Sequence, residues 1–283
     1  MDHSKFKPAY ILSAIVAVML VMASAGGLFL DGLYRDNTWV TTQFRGSDLV
    51  RLVVAAPVLV VALLLTRRGS PRAQLIWLGI LWLTLYDYAF YLFGAAFNEF
   101  FLIYVALFSL SILALIFALS RVDADAIGRK FRTRTPVKWI AGYMLFIAVF
   151  LGGLWLAQSL SFIVTGQLPQ SIVDSGHPTG IVFALDLALL VPGMVLGALW
   201  LWQRRPWGYV LGAMMLVKGT LYPLALIGMG VFYTNATGTW DALMPFWVAF
   251  AVVSLIASGF FFGNMQPEQE QPENERPQSL IPT

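Results

Sequence analysis

Long apolar runs broken by short polar segments give this chain its pattern. Runs of about twenty apolar residues recur from Ala9 to Gly263. A bilayer core of ~30 Å is crossed by a helix of about 20 apolar residues. The pattern therefore predicts an all-α membrane protein with eight transmembrane helices. They fall at about Ala9–Leu30, Asp48–Thr66, Ala73–Ala95, Phe100–Ser120, Trp139–Leu160, Gly180–Gln203, Gly208–Tyr233 and Ala242–Gly263. The shortest connection, at Asn98-Glu99, predicts a tight hairpin at the membrane surface.

The polar segments alternate in charge. Lys5, Lys7, Arg67, Arg68, Arg72, Arg121, Arg129, Lys130, Arg132, Arg134, Lys138, Arg204, Arg205 and Arg276 all fall on one side of the predicted membrane. Only Arg35 and Arg45 fall on the other. Cytoplasmic loops carry the excess of Lys and Arg, so both termini are expected in the cytoplasm. Lys5, Lys7 and the apolar run before Ala23-Ser24-Ala25 also fit a cleavable signal. The run continues to Leu30, so we read it as a retained span. The stretch after Gly263 is rich in Pro, Gln and Glu and is expected to be a disordered cytoplasmic tail.

Several short motifs recur in the same order. Gly26-Gly27-Leu28-Phe29-Leu30 matches Gly152-Gly153-Leu154-Trp155-Leu156. Asp48-Leu49 matches Asp186-Leu187, and Arg67-Arg68 matches Arg204-Arg205, each pair of arginines followed closely by a proline. Thr84-Leu85-Tyr86 matches Thr220-Leu221-Tyr222, and Tyr104-Val105-Ala106 matches Trp247-Val248-Ala249. The shared order predicts a 4+4 parallel tandem repeat, with the axis along the membrane normal. The expected organisation is 1–120 for the first four helices, 121–138 for a basic loop, 139–263 for the second four and 264–283 for the tail. Gly193-xxx-Gly197 and Gly208-xxx-Gly212 predict close packing of the sixth and seventh helices.

Composition narrows the chemistry. The chain is 59% hydrophobic and 12% charged, against about 25% charged in soluble domains. It has no cysteine, which removes disulfides and thiolate chemistry. Its two histidines, His3 and His177, lie outside the predicted spans, against intramembrane haem ligation. No metalloprotease, serine-hydrolase or nucleotide-loop motif is present. Intramembrane hydrolysis would have to use Ser–Lys or carboxylate chemistry, so a non-enzyme is favoured over an enzyme, with no cofactor and no metal expected. The net charge of +3 follows from membrane orientation and implies no nucleic acid.

Five charges fall inside spans. Counted from the basic loops at ~1.5 Å per residue, Lys218 lies about 20 Å up, Asp87 about 22, Arg51 about 24, Asp186 about 27 and Asp48 about 29. All occupy the outer third of a ~30 Å core. Asp48 is expected to cap its helix, and Arg51 to pair with it three residues on. Thr84, Asp87 and Tyr91 share a helical face, as do Lys218 and Tyr222. Tyr86, Tyr88 and Tyr91 fit either an aromatic belt or this face. A buried lysine calls for a partner, here Asp186 or Asp87. The candidate polar cavity is Arg51, Asp87, Tyr91, Asp186, Lys218 and Tyr222, with Asn98-Glu99 and Asp174–His177 at its entrance.

The stretches FRGSDL (44–49), YDYAFYLFGAAFNEFFLIYVAL (86–107) and RRPWGYVL (204–211) resemble a family of uncharacterised bacterial multi-pass integral membrane proteins. The resemblance implies a bacterial inner-membrane location and carries no activity. The function expected from the residues is transport or permeation of a small polar or ionic solute through an outward-facing charged cavity. The alternative is a sensor, assembly or partner-binding protein whose intramembrane charges are structural. The expected partners are the lipid bilayer and that solute.

Overall fold

The structure, a computed structural model, describes residues 6–266. Among the described residues it holds eight helices long and apolar enough to cross a membrane. They are α1 (Lys7–Phe29), α2 (Thr38–Arg67), α3 (Pro71–Gly94), α4 (Phe101–Leu119), α5 (Val137–Thr165), α6 (Ile181–Trp202), α7 (Pro206–Thr237) and α8 (Met244–Gly263). Short helices at Ala124–Arg129 and Gln170–Ser175 lie in the connections. Most of the expected tail, 267–283, lies outside the described residues.

Local chemistry explains the boundaries. Proline stands in the first turn of α1, α3, α7 and α8, where its missing N–H costs nothing. Ser70 caps α3 by accepting the Ala73 N–H. Left-handed Gly166 and Gly238 end α5 and α7.

The main departure from expectation is α2. It starts at Thr38, ten residues before Asp48, and the Asn37 side chain accepts the Val40 N–H at 3.0 Å as its cap. Asp48 is therefore no cap; it lies mid-helix and fully buried. The segment 38–47 is too polar to register as an apolar span. It is helical because Val40, Phe44 and Ser47 bury against protein. At ~1.5 Å per residue, the 30 residues of α2 and 32 of α7 exceed a ~30 Å core, so both project beyond it.

Two helices contain one wide turn each. A π segment runs through Arg51–Ala55 in α2, and another through Asp186–Leu190 in α6. Pro57 and Pro192 stand six residues after each segment begins. A helical proline clashes with the carbonyl four residues back, here Val53 and Ala188. Each of those carbonyls lies inside its π segment, where the wider turn accommodates the ring.

The helices form two rings. α1 packs on α2, α2 on α3, α3 on α4, and α4 back on α1. α5 packs on α6, α6 on α7, α7 on α8, with a lighter α8–α5 contact. The rings meet where α7 lies against α2 and α3, and where α3 meets α6. Glycine makes these crossings close. A Cβ on Gly46 would lie 2.3 Å from Met229 N, and one on Gly79 would lie 2.5 Å from Val217 Cβ. Gly208 meets the α6 backbone as closely, 2.3 Å from Leu201 N, in line with the small-residue expectation for α6 and α7.

The two ends differ chemically. Arg67, Arg68, Arg72, the 121–138 loop, Arg204 and Arg205 share one end. There Arg204 Nη2 donates to the Thr133 and Thr135 carbonyls at 2.8 and 3.1 Å, and Arg132 N donates to Asn264 O. At the opposite end the connections are tied together by Asn37, whose side-chain amide donates to Asp174 O and Ser175 O. Arg35 pairs with Glu99 there. Eight apolar helices, most of them exposing Leu, Val, Ile and Phe outward, make this a multi-pass membrane protein in contact with lipid.

Candidate functional site

The intramembrane charges gather where the rings meet. Arg51 opens the α2 π segment and is buried. Its Nε donates to Asp87 Oδ2 at 2.9 Å, and its Nη1 donates to Asp48 Oδ1 at 2.9 Å and to the Tyr91 hydroxyl at 2.7 Å. The expected Asp48–Arg51 pair is present, but it is one part of a larger network. Tyr34 also donates to Asp48, and Tyr91 donates to Phe44 O. The guanidinium lies 4.7 Å from the Tyr91 ring centroid, a cation–π geometry. Tyr86, Tyr88 and Tyr91 are all buried, so they are site and core residues and not an interfacial belt.

A second group surrounds Asp186, which opens the α6 π segment. Its carboxylate accepts from the Tyr86 hydroxyl at 2.5 Å and the Trp155 indole at 2.8 Å. Lys218 is 1% exposed, and its Nζ has no hydrogen-bond partner. Neither Asp186 nor Asp87 lies within 4.0 Å of it, so the expected lysine–carboxylate pair does not form. Instead Nζ rests 3.2 Å from the Tyr86 ring centroid and 4.3 Å from that of Tyr222. Two aromatic faces take the place of a counter-ion. Tyr86 thus joins the groups: its hydroxyl serves Asp186 and its face serves Lys218.

A narrow cavity of about 40 Å³ opens between α2, α3, α6 and α7. That is room for about three waters. Four of the six expected residues line it: Arg51, Asp87, Tyr91 and Tyr222. Asp186 and Lys218 stand behind Tyr86 and do not. Phe44, Ser47, Tyr86 and Phe90 complete much of the wall. Arg51 Nη2, Asp87 Oδ1 and the Tyr222 hydroxyl make no hydrogen bond among the described residues, so they are free to meet a guest.

The expected entrance residues lie at the less basic end. Asp36 accepts the Ala96 N–H through both carboxylate oxygens, at 3.0 and 3.2 Å. Burial holds its carboxyl above the usual carboxylate range, against the Ala96 bond and nearby His177, which pull it down. His177 packs edge-on to Phe90, a cavity residue, so it is not a freely solvated loop histidine. A separate recess of about 410 Å³ lies between the start of α2 and the end of α7, lined by Asp36, Thr41, Arg45 and Asn235 among others.

Sequence reasoning missed Tyr34, Tyr86 and Trp155 as site members. Tyr86 and Trp155 lie within the recurring motifs, which mark position but not hydrogen bonding. Tyr34 lies in a connecting loop and carries no such signal. No family model, curated protein or solved structure matches this chain.

Proposed function

We propose that this multi-pass membrane protein moves a small polar or ionic solute through the cavity between α2, α3, α6 and α7. One observation carries the reading. The cavity lies where the two rings meet, and the π segments of α2 and α6 begin at Arg51, on its wall, and at Asp186, just behind it. Interrupted helices with charges at a repeat interface are how many transporters build a solute site. Wide helical turns also recur at functional positions.

The rings are read as a parallel duplication, 1–120 and 139–263. Their matching order of contacts supports this, as do the proline-relieved π segments. The π segments equate Arg51 with Asp186, whereas the motif order equates Asp48 with Asp186. Equivalent places would then carry opposite charges. The basic end is read as cytoplasmic, with both termini there, in a bacterial inner membrane. The cavity would then be reached from outside.

The test is solute flux into proteoliposomes. Asp87→Asn should abolish uptake while the protein remains folded and inserted. A second reading rests on Arg51, whose three partners on two helices resemble a structural staple. In that reading, a sensor or assembly protein, Asp87→Asn changes stability or partner binding and no flux is seen for the wild type.

A further inference from the structure

We infer that the solute is a small monovalent cation of the ammonium type; this rests on the solute reading above. The first argument is charge balance. Asp48, Arg51 and Asp87 form one hydrogen-bonded unit with two carboxylates and one guanidinium. Asp186 and Lys218 behind it add one charge of each sign. Counted with all three carboxylates ionised, the cluster is one positive charge short. A buried charge of this kind is costly until something balances it.

The second argument is the wall. Tyr86, Tyr91, Tyr222 and Phe44 line the cavity, and aromatic faces attract cations. The protein already shows the preference, since Lys218 Nζ rests on Tyr86 and Tyr222 with no hydrogen bond. The third is the free hydrogen-bonding atoms. Asp87 Oδ1 and the Tyr222 hydroxyl can accept N–H groups. Arg51 is the one cationic side chain on the wall, and Asp48 and Asp87 already neutralise it. An ammonium ion is about the size of water, so a cavity of about 40 Å³ admits it.

The fourth argument is the approach. The end reached first carries Asp31, Asp36, Glu99, Asp174 and Asp241 against Arg35 and Arg45, a net charge of −3 from five carboxylates and two guanidiniums. A mouth of one sign raises the local concentration of the opposite ion. Lys218 already rests on the Tyr86 and Tyr222 rings, so the guest shares those rings with it.

The test is binding to the full chain in detergent, followed by tryptophan fluorescence and calorimetry. The probes are ammonium and methylammonium, then sodium and potassium, then chloride, nitrate and acetate, then urea. We expect saturable binding of ammonium and methylammonium, at least tenfold tighter than of the alkali ions. Asp87→Asn should weaken it at least tenfold. Tyr222→Leu, which removes a ring face and a hydroxyl acceptor while leaving the Arg51 ion pairs in place, should weaken it by a similar factor. Lys218→Met should leave it unchanged or tighten it. Binding of anions or urea in place of ammonium, lost in Lys218→Met, would overturn the cation assignment and leave the solute reading standing. Tighter binding of alkali ions than ammonium, unaffected by Tyr222→Leu, would also overturn it. No binding by any probe would overturn it too, and proteoliposome flux then decides separately whether the solute reading survives.

Discussion

Arg51 and Lys218 are both buried cations, yet the structure predicts opposite responses to their removal. Arg51 is held by two carboxylates at 2.9 Å and a tyrosine hydroxyl at 2.7 Å. At an effective dielectric of ~20, one such charge pair at contact is worth about 4 kcal/mol before desolvation. Arg51→Met removes that attraction and leaves Asp48 and Asp87 buried together. Loss of one partner from a buried ion pair costs about 3–5 kcal/mol. Lys218 has no ion pair and no hydrogen bond, only two ring faces. Losing the cation–π contacts costs about 2 kcal/mol, offset by removal of an unpaired buried charge of similar cost. Lys218→Met should therefore stay within about 1 kcal/mol of wild type or exceed it. The assay is reversible unfolding in mixed micelles, titrated with SDS and read by circular dichroism. Equal losses in the two variants would refute the reasoning, because Lys218 would then have a partner that the geometry does not give it.

Other outcomes follow from the same contacts. Gly46→Ala places a Cβ 2.3 Å from Met229 N, where ordinary contact begins near 3.4 Å, so α2 and α7 must part. Overpacking of this kind costs about 1–3 kcal/mol, and the same unfolding assay reads it. Tyr86→Phe removes one of two donors to Asp186 but keeps the ring under Lys218, for a loss of about 1–3 kcal/mol. Asp36 gives a pH dependence. Because its folded carboxyl is raised, its contribution to stability is complete below the ordinary value of 3.8 and is lost as pH rises through the raised one. The midpoint of the same SDS titration should fall over that window, and Asp36→Asn should flatten the profile.

The helical pattern was legible because it is written in composition. Runs such as 101–119 have no charge and only one plausible environment. The start of α2 was not legible. Its first ten residues are mostly polar, and the Asn37 cap and burial against α7 and α1 make them helical. That one displacement moved Asp48 from a cap to the centre of a network. The depth count did place the five charges in one layer, since helical rise is fixed. It could not say which would touch. Lys218 and Asp186 fall in that layer, but Tyr86 stands between them, and an aromatic ring serving as a counter-ion leaves no mark in spacing. The π segments were likewise hidden: Pro57 and Pro192 follow them, but Pro223 sits inside α7 with no wide turn, so a proline alone does not mark one.

The central claim is that the cavity at Arg51 and Asp87 communicates with the less basic end. The chain has no cysteine, so Ser47→Cys places a single thiol on the cavity wall without further engineering. A small membrane-impermeant methanethiosulfonate reagent should label it when added to the outside of intact cells, and methylammonium should slow the labelling. Labelling only from the cytoplasmic side of inverted vesicles would contradict the account.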